Sequence, residues 1–157
     1  MALNIRNKGA GGEREICDLM NRLTNVVLSS PDHNMTPPAV PLFQRNQNQS
    51  AVGGADISNP FGLCIEVKRH ETLQVNQWWT QCTTAAERFG GIPILMYRQN
   101  GKRKWNVVMY GMLPCPDMNR LKMFRMTLEQ QDFEQWFKDY LDDYLRKHDV
   151  FECGVPE

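Results

Sequence analysis

Asp56, Glu66 and Lys68 are residue types in an order suited to cutting a phosphodiester. Phe61-Gly62-Leu63-Cys64-Ile65-Glu66-Val67-Lys68 is a short apolar run that reads as a strand. Leu63, Ile65 and Val67 fall on one face of it, and Cys64, Glu66 and Lys68 on the other. Glu66 and Lys68 then lie roughly 7 Å apart along the strand. Phosphodiester hydrolysis needs carboxylates to cage a hard cation such as Mg²⁺, and a nearby group that orients or deprotonates the attacking water. Asp56 and Glu66 can supply the cage. Lys68 can supply the second function, as a desolvated amine or as a cation that stabilises charge developing on the phosphate.

A carboxylate, any residue and a lysine also recur by chance, and a solvated strand face accounts for Glu66-Val67-Lys68 taken alone. Its company adds weight, because Asp56 sits in a glycine-bearing turn and Glu13 lies upstream on a helix that should begin near Gly11 or Gly12 and run to about Val27. Glu13 has helical spacing with Ile16, Cys17, Met20 and Leu23, the apolar stripe, whereas Glu15 and Asp18 point elsewhere. A carboxylate on a buried stripe needs a partner or a metal. The alternative is a first-turn acid favoured by the helix dipole.

In order along the chain, Lys8-Gly9-Ala10-Gly11-Gly12-Glu13-Arg14-Glu15, Ser50, Gly54-Ala55-Asp56-Ile57, Ile65-Glu66-Val67-Lys68 and Gln77 resemble the archaeal-type Holliday junction resolvases of the PD-(D/E)xK nuclease superfamily, over about residues 6 to 108. The resemblance implies an α/β, restriction-endonuclease-like fold with an αβββαβ core and a mixed central sheet. It implies that Glu13, Asp56 and Glu66 hold the metal with the backbone carbonyl of Val67, and that Lys68 is the catalytic lysine. It also implies that Gln77 supports the site and that Ser50 is the nearest counterpart of a loop serine. Ala55 stands where a proline often precedes the Asp.

The 157 residues carry a net charge of zero, which at first argues against a nucleic-acid partner. The charge is divided, however: residues 1–126 hold 15 Lys and Arg against 9 Asp and Glu, and residues 127–157 hold 3 against 9. Phosphate binding needs only a local basic stripe. Arg6, Lys8 and Arg14, then Arg45, then Lys68 and Arg69, then Arg98 with Lys102, Arg103 and Lys104 around an Asn100-Gly101 turn, are the candidate DNA contacts. A soluble turn is the alternative for Lys102-Arg103-Lys104. The five cysteines lack paired metal-ligand spacing and read as free thiols, and the three histidines form no spaced pair for zinc. No apolar stretch approaches the roughly eighteen residues of a membrane span and no signal-peptide layout opens the chain, so a cytoplasmic protein is expected.

The composition, 41% hydrophobic, suits one domain, with a core over about residues 6–112 and an amphipathic C-terminal helix over about 128–147. Residues 29–50 read as a long polar loop, extended near Val40 to Arg45, whose Gln44 to Gln49 run could track a DNA backbone. Val75 to Phe89 reads as a second helix, whose adjacent Trp78 and Trp79 leave one of the pair available to a partner unless both pack on a broad stripe. Residues 92–98 and 104–110 read as two further strands, and Pro114-Cys115-Pro116 as the end of the core. Thr127 to Gln130 forms a capping box before Phe133, Trp136, Phe137, Tyr140, Leu141, Tyr144 and Leu145, an apolar stripe.

Together these features point to a Mg²⁺-dependent endonuclease, with Mn²⁺ able to substitute, acting on branched DNA. A four-way junction is two-fold symmetric, so a homodimer is expected. A restriction or repair nuclease working on duplex or flap DNA, and an inactive nucleic-acid-binding protein, are the other readings, since one fold serves many substrates.

Overall fold

The computed structural model describes residues 2–47, 54–117 and 119–148, with side chains from Lys8 onward. Helix α1 (Ala2–Leu28) precedes β1 (Gln44–Arg45), β2 (Ile57–Ser58) and β3 (Leu63–His70). Helix α2 (Val75–Phe89), β4 (Ile92–Gln99), β5 (Asn106–Pro114), β6 (Leu121–Glu129) and helix α3 (Gln130–Lys147) follow. The six strands form one mixed sheet in the spatial order β1 to β6. Only β3 and β4 run parallel, from Leu63 beside Ile92 to His70 beside Gln99, with α2 as their crossover. The expected α/β, restriction-endonuclease-like order is therefore present, extended by β5, β6 and α3.

Helices cover both faces of the sheet. Ile16 and Met20 of α1 and Phe133, Phe137 and Leu141 of α3 share one apolar cluster with Ile65, Ile94 and Val107. Trp78, Trp79 and Cys82 of α2 form a second with Leu95 and Val108. Ile94 and Leu95 thus alternate between the clusters, which is why β3 and β4 read as continuous apolar runs instead of alternating ones. Phe43, Phe61, Phe133 and Phe137 are fully buried, each contributing about 2–3 kcal/mol of apolar transfer.

Three expectations change, and one open choice is decided. Helix α1 begins at Ala2, well before Gly11, and runs through Gly9, Gly11 and Gly12 despite the poor helix propensity of glycine. A Cβ at Gly12 would stand 3.3 Å from Trp105 and 3.5 Å from Val67, so the missing side chain is what lets α1 lie close on β3. The second strand after α2 starts at Asn106 and runs on to Pro114, and the chain after the proline turn adds β6 instead of leaving the sheet. Thr127 belongs to β6, and α3 starts at Gln130 with no side-chain cap bond. The Gln130 Oε1 accepts the Trp105 backbone N–H at 3.0 Å, so the residue expected to close the box instead ties the helix start to the neighbouring strand entry. Trp78 and Trp79 are both buried, and neither is left free for a partner.

Candidate active site

Glu66 and Lys68 lie on the face of β3 turned toward α2, since Glu66 pairs with Leu95 of the α2 cluster and strand positions alternate. Pairing of β2 with β3 stops after Ile57 beside Ile65. Asp56 fills the next place: its N–H donates to the Ile65 carbonyl at 3.0 Å and its Oδ2 accepts the Val67 N–H at 2.6 Å. A strand residue points its N–H and C=O to the same edge, so the Val67 carbonyl opens on the side that Asp56 occupies.

These groups meet in one cavity of about 1420 Å³, lined by Glu13 of α1, Arg45 of β1, Asp56, and Glu66, Val67 and Lys68 of β3. Asp56 is 4% and Glu66 7% exposed. Buried carboxylates need compensation. Lys68 Nζ provides it for Glu66 at 2.8 Å, and Arg45 Nε donates to Glu13 Oε2 at 2.7 Å. Burial works against the Lys68 charge, but Glu66 beside it, with Asp56 and Glu13 behind, outweighs that and holds the ammonium above the usual lysine range. Of the two functions open to Lys68, the cationic one matches this geometry.

Among the described residues, no three Asp, Glu, His or Cys side chains stand close enough as they are to hold a metal. Glu13 and Glu66 turn to the chain's own cations instead. The donor chemistry still fits a hard divalent cation: two buried carboxylates and a strand-edge carbonyl open to one cavity, with Glu13 across it.

Lys8 and Arg69 also line the cavity. Arg69 pairs with Glu15 at 3.5 Å and Lys8 reaches Glu71 at 3.9 Å. Arg14 and the Lys102-Arg103-Lys104 turn are exposed and stand outside the lining. Arg98 is not presented with that turn. It is buried at 8% exposure, stacked over Trp105 at 4.6 Å and bonded to Glu15 at 2.9 Å. Gln77 is exposed and does not line the cavity, whereas Gln74 and Gln81 do. Ser50 and the Arg6 side chain fall outside the described residues.

His70 and Gln81 are cavity residues that the sequence reading missed. His70 shares the strand parity of Glu66 and Lys68, and its ring sits 5.1 Å from that of Trp78. Gln81 lies one helical turn beyond Gln77. Cys17, Cys64, Cys82 and Cys115 are free thiols, and burial, then Asp18 and Glu13, push Cys17 up to about 11. No helix is long and apolar enough to cross a membrane among the described residues.

The family model described as phage putative PDDEXK endonuclease matches residues 4–138, a span that includes every residue of the cavity. No curated protein matches the chain.

Proposed function

The chain belongs to the phage PDDEXK endonuclease family, and on that premise we propose a metal-dependent, structure-selective DNA endonuclease that resolves four-way junctions by paired symmetric nicks. The observation that carries this reading is the convergence of Glu13 from α1, Asp56 from the turn before β2, and Glu66 and Lys68 from β3 on one cavity. An inactive binding protein has no need to bury two carboxylates beside a lysine at the mouth of such a cavity.

In the proposed reaction a water oxygen bonds to phosphorus and gives up its proton to solvent, the bond from phosphorus to the 3′ oxygen breaks, and that oxygen takes a proton from a solvent water, leaving a 3′-hydroxyl and a 5′-phosphate. Asp56, Glu66 and the Val67 carbonyl would hold Mg²⁺ or Mn²⁺, with Glu13 joining them once Arg45 releases it. The bound cation supplies Lewis-acid polarisation of the phosphate and acidifies a water. Lys68 keeps its charge and stabilises the negative charge that builds on the phosphate oxygens. Lys8 and Arg69, at the cavity wall, bind the flanking phosphates, and the Lys102-Arg103-Lys104 turn follows the strand farther out. The junction's symmetry calls for two copies of the site, supplied by a homodimer.

The test is a labelled immobile four-way junction, matched linear duplex and a flap, each with Mg²⁺ or EDTA, beside a Glu66→Gln variant. Symmetric junction nicking that is lost in EDTA and in the variant is the expected result. Equal cutting of linear duplex would replace the junction reading with that of a general duplex nuclease, and tight binding without any cleavage would overturn the enzyme.

A further inference from the structure

The β5–β6 ribbon outruns the sheet. Pairing of β5 with β4 spans Asn106 to Val108, while β5 and β6 stay paired from Asn106 beside Glu129 to Pro114 beside Leu121. The root of the ribbon is tied to α2, where the Tyr110 ring meets Trp79 at 5.1 Å and Arg125 donates to Asn76 at 2.8 Å. Beyond that root, Met112, Leu113, Leu121, Met123 and Phe124 are between 44% and 60% exposed. On its outer side β6 forms the edge of the sheet among the described residues.

Two features of this ribbon require a cover. A two-stranded ribbon exposed on both faces is marginal in water, and a long apolar edge strand offers a row of unpaired N–H and C=O groups. Tyr110, Met112, Leu121 and Met123 share one face of the ribbon and Leu113 and Phe124 the other, so the apolar exposure flanks the edge on both sides, where a partner strand added to β6 meets both at once.

We propose that a second copy of this chain covers the ribbon, its β6 pairing antiparallel with ours across a two-fold axis near Phe124. Charge narrows the register. An axis at Arg125 would set two guanidiniums opposite each other, whereas an axis at Phe124 sets Arg125 beside Met123 and Lys122 beside Met126 of the second copy, with no like charges opposed. The apolar side chains on both faces of the ribbon then meet their counterparts over the axis, and the edge is abolished. The pairing gives the two-site arrangement of the proposed nuclease a location, and rests on that reading only for its purpose.

Mass measured by light scattering on the full chain over a range of concentrations, without DNA, tests the interface independently of cleavage. We expect a dimer whose dissociation constant rises at least tenfold in Met123→Glu, with the circular dichroism spectrum unchanged. A Phe124→Cys variant should also form a covalent dimer under mild oxidation, beyond any crosslinking seen in the unmodified protein, and it decides the matter if Met123→Glu fails to fold. A chain that is monomeric throughout, or a dimer that survives Met123→Glu while Phe124→Cys forms no covalent link, overturns the proposal. A monomer whose junction affinity falls in Met123→Glu would make the ribbon a DNA arm, which overturns it as well.

Discussion

Arg45 and Glu13, 32 residues apart in the chain, form a partly buried ion pair of 2.7 Å that closes the α1 side of the cavity. The guanidinium occupies the carboxylate that a metal would use and is itself a cation that a phosphate would attract. Arg45→Ala should therefore tighten Mn²⁺ binding to the free protein by about tenfold, the equivalent of roughly 1.4 kcal/mol, while weakening junction binding. Titration calorimetry with Mn²⁺, with and without DNA, checks it, and unchanged Mn²⁺ affinity in the variant would remove Glu13 from the ligand set.

Lys68 is placed to act on charge. Its ammonium lies 2.8 Å from Glu66 and is held in the charged form by three carboxylates. Lys68→Met should lower the nicking rate by about 10²- to 10³-fold, as loss of a preorganised charge stabiliser does, with a much smaller change in junction affinity. Rates measured at saturating enzyme separate the two. A loss confined to affinity would make Lys68 a phosphate anchor and nothing more.

The residues that meet in the cavity were more legible in the sequence than the parts of the fold that carry no burial signal. Glu66 and Lys68 alternate with buried Ile65 and Val67, so a period of two exposed their shared face, and Glu13 followed from its spacing to Ile16 and Met20. Strand β6 was invisible because Leu121 to Phe124 are exposed on both faces, leaving no alternation to read. The early start of α1 was hidden by Gly9, Gly11 and Gly12, poor helix formers, and the close approach of Gly12 to Trp105 is one that no local pattern contains. Gln77 was named by resemblance alone, and only the placement of α2 on the sheet decides that Gln74 and Gln81 reach the cavity instead.

Gly12 offers a test of that close approach. An added Cβ would sit 3.3 Å from Trp105, 3.5 Å from Val67 and 3.6 Å from Arg69, a gap that a methyl can enter with small shifts but an isopropyl cannot. Gly12→Ala should be close to neutral, its gain in helix propensity offsetting the crowding, whereas Gly12→Val should destabilise by about 1–3 kcal/mol. Urea denaturation of both variants measures the difference. Equal stability would mean that α1 is free to move away from β3.

Acid should release α3 from the loop that follows α1. Asp142 on α3 is bonded to Arg146 at 3.1 Å and to His33 at 2.6 Å, and Arg146 first, then His33, hold its carboxyl below the ordinary 3.8. An acid whose folded pKa is depressed adds stability that is present above its unfolded value and lost as pH falls through the folded one. The stabilisation by Asp142 should thus be complete at pH 5 and above, and disappear below the ordinary 3.8. Melting temperatures of the unmodified chain and of Asp142→Asn should therefore differ at pH 6 and converge toward pH 3. A difference that persists at the lowest pH would assign the effect of the substitution to packing and not to the carboxylate charge.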